Sequence, residues 1–148
     1  MKLSPKDRVA EEIVRYFCAH GVHINGLHYS VKITSRIPDW ERVLGKKEVQ
    51  SGLAKDDFAF GGIELRLQKI LIHPRSRGMS RLVVLLHEFI HGIDIRLSED
   101  TVDKIAQFFA STVIDSVILG YSKETVVSML MKNIALPPDD WNTGVSTK

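Results

Sequence analysis

The run His87-Glu88-Phe89-Ile90-His91 holds the residue types and spacing that can do chemistry. In a helix, residues four apart are turned about 40° from each other and separated by about 6 Å of rise, so both imidazoles point to one side and can share a tetrahedral metal. Glu88 lies about 100° round the helix from His87, close to such a metal without binding it. There it can take a proton from water and deliver it to a leaving amine. Zinc lowers the pKa of its water ligand to about 7, which makes hydroxide available at neutral pH. The pattern therefore predicts a mononuclear Zn2+ site with His87 and His91 as ligands and Glu88 as general base. The surrounding residues strengthen it: Leu82 to Leu86 is apolar throughout, and Phe89, Ile90, Ile93 and Ile95 follow. Two histidines and a carboxylate in so apolar a helix are unfavourable unless something pairs them.

A catalytic zinc site takes three protein ligands and keeps its fourth position for water. No histidine follows His91, so the third ligand must be acidic, and Asp94, Glu99, Asp100 and Asp103 are the candidates. Asp94 lies on the His87–His91 stripe, one turn on, and suits a hydrogen bond to the His91 ring better than direct ligation; the alternative for it is a helix-end residue bonding local backbone. Glu99 opens the next helix in phase with Val102, Ala106 and Val113, the face expected to pack inward. Asp103 is one turn further and about 40° off that line, so it stays open as a ligand. Asp100 is turned away by about 100° and reads as a solvated first-turn acid.

The run Leu85-Leu86-His87-Glu88-Phe89-Ile90-His91-Gly92-Ile93-Asp94, with Leu97-Ser98-Glu99-Asp100-Thr101-Val102 and Ala106 beyond it, resembles small zincin-fold metallopeptidase domains of prophages and mobile elements, related to the ImmA/IrrE group. That group usually has Gly where Phe89–Ile90 stands, and Ala where Val102 stands, which points to the wider zincin group. The resemblance covers residues 60–110, about a third of the chain. It implies a strand delivering Ile70–His73, then the motif helix, then Glu99 as a gluzincin-like third ligand opening the next helix.

The elements that must position these residues can be read on either side. Residues 5–19 pattern as a helix: Ser4 can cap, Pro5 suits the first helical position, Val9, Ile13, Val14 and Phe17 recur at helical spacing, and Gly21 ends it. Residues 28–34 alternate as a half-buried strand, with Tyr29, Val31 and Ile33 on one face. A short helix over Asp39–Leu44 follows, then a polar connection. Residues 58–73 return to strand character, with a change of phase near Lys69 that predicts a turn or bulge. The motif helix starts at Ser76 or Ser80 and runs to about Ile95. Ser98 caps a helix to about Leu119, with Val102, Ile105, Ala106, Phe109 and Val113 inward, and Gly120 closes it. Ser122 caps a last helix to about Ile134, which Pro137–Pro138 stops.

The fold class this predicts is α+β: a minimal zincin-like domain over residues 1–136, with a small, mainly antiparallel sheet on helices and the metal between the motif helix and the next one. Residues 137–148 read as a polar tail.

The remaining histidines and tyrosines carry less. His73 is a candidate substrate or oxyanion contact at a strand end, against a plain loop histidine. Tyr121 is a weaker oxyanion candidate, against an anchor that packs a helix end. His20, His23 and His28 surround a Gly-containing turn without recognisable ligand spacing. Cys18 is the lone cysteine, which excludes an intramolecular disulfide and a thiolate zinc site and reads as a small buried hydrophobe on a helix.

The 148 residues suit one domain, and with 44% apolar and 26% charged residues a core is available. The net charge of +2 argues against a dedicated nucleic-acid surface, local clusters such as Lys46–Lys47 or Arg75–Arg81 aside. No signal-peptide core follows the N-terminus and no apolar run is long enough for a bilayer, so a cytoplasmic protein is the expectation. The expected activity is metallopeptidase hydrolysis of a peptide or protein substrate, with strand 69–73 as the cleft edge that pairs with an extended substrate. The alternative from the same residues is a zincin-like binding or regulatory module with a structural or vestigial metal. Glu88 favours the enzyme, because a structural site has no use for it.

Overall fold

A computed structural model describes residues 2–45 and 61–128. Helix α1 (Pro5–His20) begins as its sequence demands: the Ser4 hydroxyl accepts from the Asp7 amide at 3.1 Å and Pro5 occupies the first turn. Gly21 ends it at φ +73. Strands β1 (Val22–Ile24) and β2 (Leu27–Ile33) form a hairpin through Asn25 and Gly26, both at positive φ (52° and 84°). That is the Asn-Gly turn whose twist matches paired strands. β1 lay outside the sequence expectation, although this turn signal was present. Helix α2 (Ile37–Leu44) starts two residues earlier than expected. The polar connection after it lies outside the described residues.

The predicted break in the 58–73 stretch is a turn rather than a bulge. β3 (Gly61–Glu64) and β4 (Lys69–Ile72) pair antiparallel, with Gln68 at φ 53 in the turn between them. Leu65 and Leu67, expected to continue the strand, sit in this turn and are exposed. The sheet order is β1-β2-β4-β3. Its two outer pairings are antiparallel and its central β2–β4 pairing is parallel, with Val31 opposite Ile70, so the sheet is mixed.

Helix α3 (Gly78–Ile93) carries the motif and α4 (Glu99–Ile118) follows it. Tyr29, Val31, Ile70 and Ile72 pack with α1, α3 and α4 in the main core, while Leu71 faces the other way onto Trp40, Val43 and Leu44 of α2. β4 is thus buried on both faces, which explains its unbroken apolar run. Ser122 caps a helical stretch over residues 123–128 by accepting from the Thr125 amide. The remainder of that helix, Pro137–Pro138 and the tail boundary lie outside the described residues. None of the described helices is long and apolar enough to cross a membrane.

Candidate metal centre

Helix α3 starts without a cap of its own. Arg77 stands at the N-cap and offers no side-chain bond, and neither Ser76 nor Ser80 serves. α1 supplies the caps instead: the Gly78 amide donates to Glu11 Oε1 at 2.7 Å and the Met79 amide to Asp7 Oδ1 at 2.9 Å. Gly78 stands at φ +57, where a Cβ would also run into Asp7, so only glycine fits. Arg81 completes the joint. It donates to Glu11 Oε2 (2.8 Å), to the Ser76 carbonyl (2.9 Å) and to the Pro74 carbonyl (3.2 Å). Satisfied carboxylate and guanidinium groups therefore hold the chain between β4 and α3, which sets where the motif residues stand.

The sheet meets α3 at two glycines. A Cβ on Gly92 would lie 2.8 Å from Ile24 Cδ1 and from Ile63 Cδ1, so the helix approaches β1 and β3 closely right after His91. A Cβ on Gly61 would lie 2.6 Å from Val84 Cγ1 and 3.0 Å from Glu88 Cγ, so the β3 backbone runs against the wall that carries Glu88. Sequence reasoning missed Gly61 as a site residue. The Gly61-Gly62 pair inside a strand pattern was the available signal for a close backbone approach.

Between α3 and α4 lies an open cleft of about 330 Å³, lined by Gly61, Val83, Val84, His87, Glu88, His91, Glu99 and Asp103. His87 Nε2 lies 3.0 Å from His91 Nε2 and 2.9 Å from Glu99 Oε2, and His91 Nε2 lies 2.9 Å from Glu99 Oε1. Among the described residues this is the one group of three such side chains whose ligand atoms converge, all within 4.8 Å. The His87 and His91 side chains are 17% and 16% exposed, whereas Glu99 at the mouth is 77% exposed. Each of these side chains is where its element puts it: the histidines one turn apart on α3, and Glu99 in the first turn of α4, whose start Ser98 fixes by accepting from the Thr101 amide at 3.2 Å.

The donor set fits a divalent ion. Asp103 Oδ1 lies 2.8 Å from His87 Nδ1, and a carboxylate only accepts, so that ring nitrogen carries the proton. Nε2 of a neutral His87 then presents a lone pair to the Glu99 carboxylate. A proton on His91 Nε2 cannot relieve that contact, and only a second proton on His87 or a cation between the groups does. Tetrahedral zinc with bonds of about 2.0–2.1 Å sets its ligand atoms about 3.3 Å apart, a few tenths of an ångström wider than found here.

The other candidates fall elsewhere. Asp103 does not join the convergent atoms; it orients His87 from behind. Asp94 does not reach His91. The helix ends at Ile93, Asp94 is extended (φ −147, ψ 101), and its carboxylate accepts from the Arg96 amide and guanidinium at 3.0–3.2 Å. Extrapolating the helical phase by one residue too many produced the wrong partner. Asp100 pairs with Lys104 on the outer face, as expected of a solvated acid. His73 does not line the cleft: its Nδ1 accepts from the Arg75 amide and its ring lies 6.0 Å from Trp40 on the α2 side. Tyr121 follows the far end of the twenty-residue α4 and is 60% exposed, well away from Glu99. The ring of His28 bonds the His20 carbonyl at 2.9 Å, and His20, His23 and His28 form no convergent group. Cys18 is half-buried against the core, and burial pushes its thiol up.

Glu88 is buried on the cleft wall. Burial pushes its carboxyl up to about 7, the His87 ring opposes this, and Glu99 adds to it. A carboxylate poised near neutral pH is suited to proton transfer.

The chain is an α+β protein with a His/His/Glu cluster at an open cleft. No family model matches it, and no curated protein and no solved structure matches it either.

Proposed function

We propose that the chain is a zinc-dependent peptidase. The observation that carries this reading is the convergence of His87 Nε2, His91 Nε2 and the Glu99 carboxylate at one end of an open cleft, with Glu88 on the adjoining wall. His87, His91 and Glu99 would hold the metal, three protein ligands being the number that leaves a position open for chemistry. Zinc bound there supplies Lewis-acid polarisation of a carbonyl and a water of lowered pKa. Glu88 takes the proton from the attacking water and returns it to the leaving amine. Asp103 keeps His87 in the tautomer that offers Nε2 to the ion.

The sheet edge that would pair with an extended substrate is β3, not β4. β4 is hydrogen-bonded on both sides, to β2 and to β3, so its backbone has nothing left to offer. Among the described residues β3 is the outer strand on this side of the sheet, and Gly61 brings it to the cleft. A peptide or protein is therefore the expected substrate.

The test is metal content by elemental analysis, followed by cleavage of a peptide mixture. Wild-type chain should carry about one zinc and His87→Ala none, in keeping with a mononuclear site. Glu88→Gln should keep the zinc while losing about 10²–10⁴-fold in turnover, the usual worth of a positioned acid–base group. Full activity in Glu88→Gln would sink the mechanism. Zinc binding without any cleavage by the wild type would turn the reading to a metal-stabilised binding module.

A further inference from the structure

A second cavity, of about 610 Å³, adjoins the metal cleft and shares the Val83 and Val84 wall with it. Its far end is lined by Arg75, Arg77, Ser80 and Gln107. α3 and α4 run antiparallel here, because His91 meets Glu99 while His87 meets Asp103. Gln107 is one turn beyond Asp103 on α4, and Ser80 lies two turns before His87 on α3, so both cavities lie along one helix–helix groove. The groove is acidic and metal-binding at one end, apolar at Val83 and Val84, and basic at the other.

The basic end is a built feature. Ser76 is buried and donates to the His73 carbonyl at 2.8 Å, and Arg81 bonds the carbonyls on either side of Arg75, so the segment bearing Arg75 and Arg77 is held in place. Arg81 itself is spent on Glu11, and the nearby carboxylates of Asp7 and Glu11 are committed to the α3 N-terminus. Among the described residues no carboxylate lines the cavity, and Arg77 forms no ion pair with one of them. The exposed guanidinium of Arg77, carried on this fixed segment at the edge of an open cavity, can recognise carboxylate by paired hydrogen bonds. Along α3, Ser80 is about 10 Å and Arg77 about 15 Å of helix from His87. An extended peptide advances about 3.3 Å per residue, so this end lies three to five residues from the metal, about the reach of a bound chain.

We propose that this cavity is a substrate subsite for an acidic side chain three to five residues from the scissile peptide bond. It rests on the peptidase reading for the word substrate, and the test separates the two. The full chain carrying Glu88→Gln, loaded with zinc, is titrated into dye-labelled peptides of about ten residues, long enough to span both ends of the groove. One peptide pool contains a single Glu among neutral positions, and the other has Gln in its place. Fluorescence anisotropy should show the Glu pool binding about tenfold tighter at low salt. That preference should vanish in Arg75→Ala/Arg77→Ala and pass to a Lys-containing pool in Arg77→Glu, with thermal melts and zinc content unchanged. Equal binding of the two pools, or a preference that survives the double alanine variant, overturns the subsite. So does displacement of the peptides by a single-stranded oligonucleotide at lower concentration, which would assign the arginines to phosphate. Wild-type cleavage of both pools without acidic preference leaves the peptidase standing and removes the subsite. Arginine-dependent binding of the Glu pool without wild-type cleavage removes the peptidase and leaves a docking site for acidic peptides.

Discussion

Helix α3 carries a polar cluster near each end, and the two are balanced in opposite ways. At the start, Glu11 accepts from Gly78 and Arg81, Arg81 also bonds two carbonyls, and Asp7 takes the next amide, so donors and acceptors match. Further along, His87 Nε2, His91 Nε2 and the Glu99 carboxylate converge at 2.9–3.0 Å. The first arrangement is complete in itself and fixes geometry. The second has more acceptors than donors when its histidines are neutral, and a further proton or a cation balances it. Both clusters are polar groups set in an apolar helix, so burial alone does not distinguish them; the matching of donors to acceptors does.

The largest effect should come from breaking the matched cluster. Glu11→Ala leaves Arg81 and the Gly78 amide without their carboxylate, in a pair whose side chains are only 15% and 11% exposed. Loss of one partner of such a pair costs about 3–5 kcal/mol, to be read as a fall in the urea midpoint at unchanged slope. A loss below about 1 kcal/mol would mean that the joint is ornamental. The unmatched cluster should respond to zinc instead. Stripping the ion with a chelator, from a wild-type sample held at about a hundred times the dissociation constant, should lower stability by about 2.7 kcal/mol, with no change in His87→Ala. Equal midpoints with and without zinc would show that the three side chains need no ion.

Asp103→Ala sharpens the contrast within the site. It removes the group behind His87 without removing a ligand, so zinc affinity should weaken about 10–100-fold in a competition titration while the fold persists. Unchanged affinity would return Asp103 to the solvent. The smallest effect belongs to the Lys123–Glu12 ion pair that ties residues 123–128 to α1. The Lys123 hydrogen bond is the main cause that holds the Glu12 carboxyl below its ordinary value of 4.5. A carboxyl lowered on folding contributes its stability above the unfolded value and loses it as pH falls through the folded one. The pair should therefore add at most about 1 kcal/mol, fading below about pH 4.5, and less in salt because both groups are partly exposed. Urea midpoints of the wild type and Lys123→Ala should converge in acid; parallel curves would contradict this assignment.

Much of the site was legible because its logic is local. Helical spacing puts His87 and His91 on one side, and Ser98 fixes where α4 starts, so Glu99 could be placed in a first turn from sequence alone. Other assignments depended on partners far along the chain. Asp94 was placed by extending the helix past its true end, and Asp103 stayed open as a ligand until the antiparallel approach of α3 and α4 set it behind His87. The start of α3 was misread for a similar reason, since its caps come from Asp7 and Glu11, about seventy residues away.

The fold divides the same way. The α1 cap, the β2 alternation, the break in the 58–73 stretch and the α4 inner face follow from short-range sterics and periodicity, which act within a few residues. The mixed strand order, which puts β3 and not β4 on the outside among the described residues, was settled by which strands found one another across the chain. Sequence alone determined that two imidazoles and a carboxylate share one helix. Tertiary structure decided which acid meets them, which strand lies beside Glu88 and that two arginines end the same groove, because such meetings depend on packing between distant segments and leave no local pattern to read.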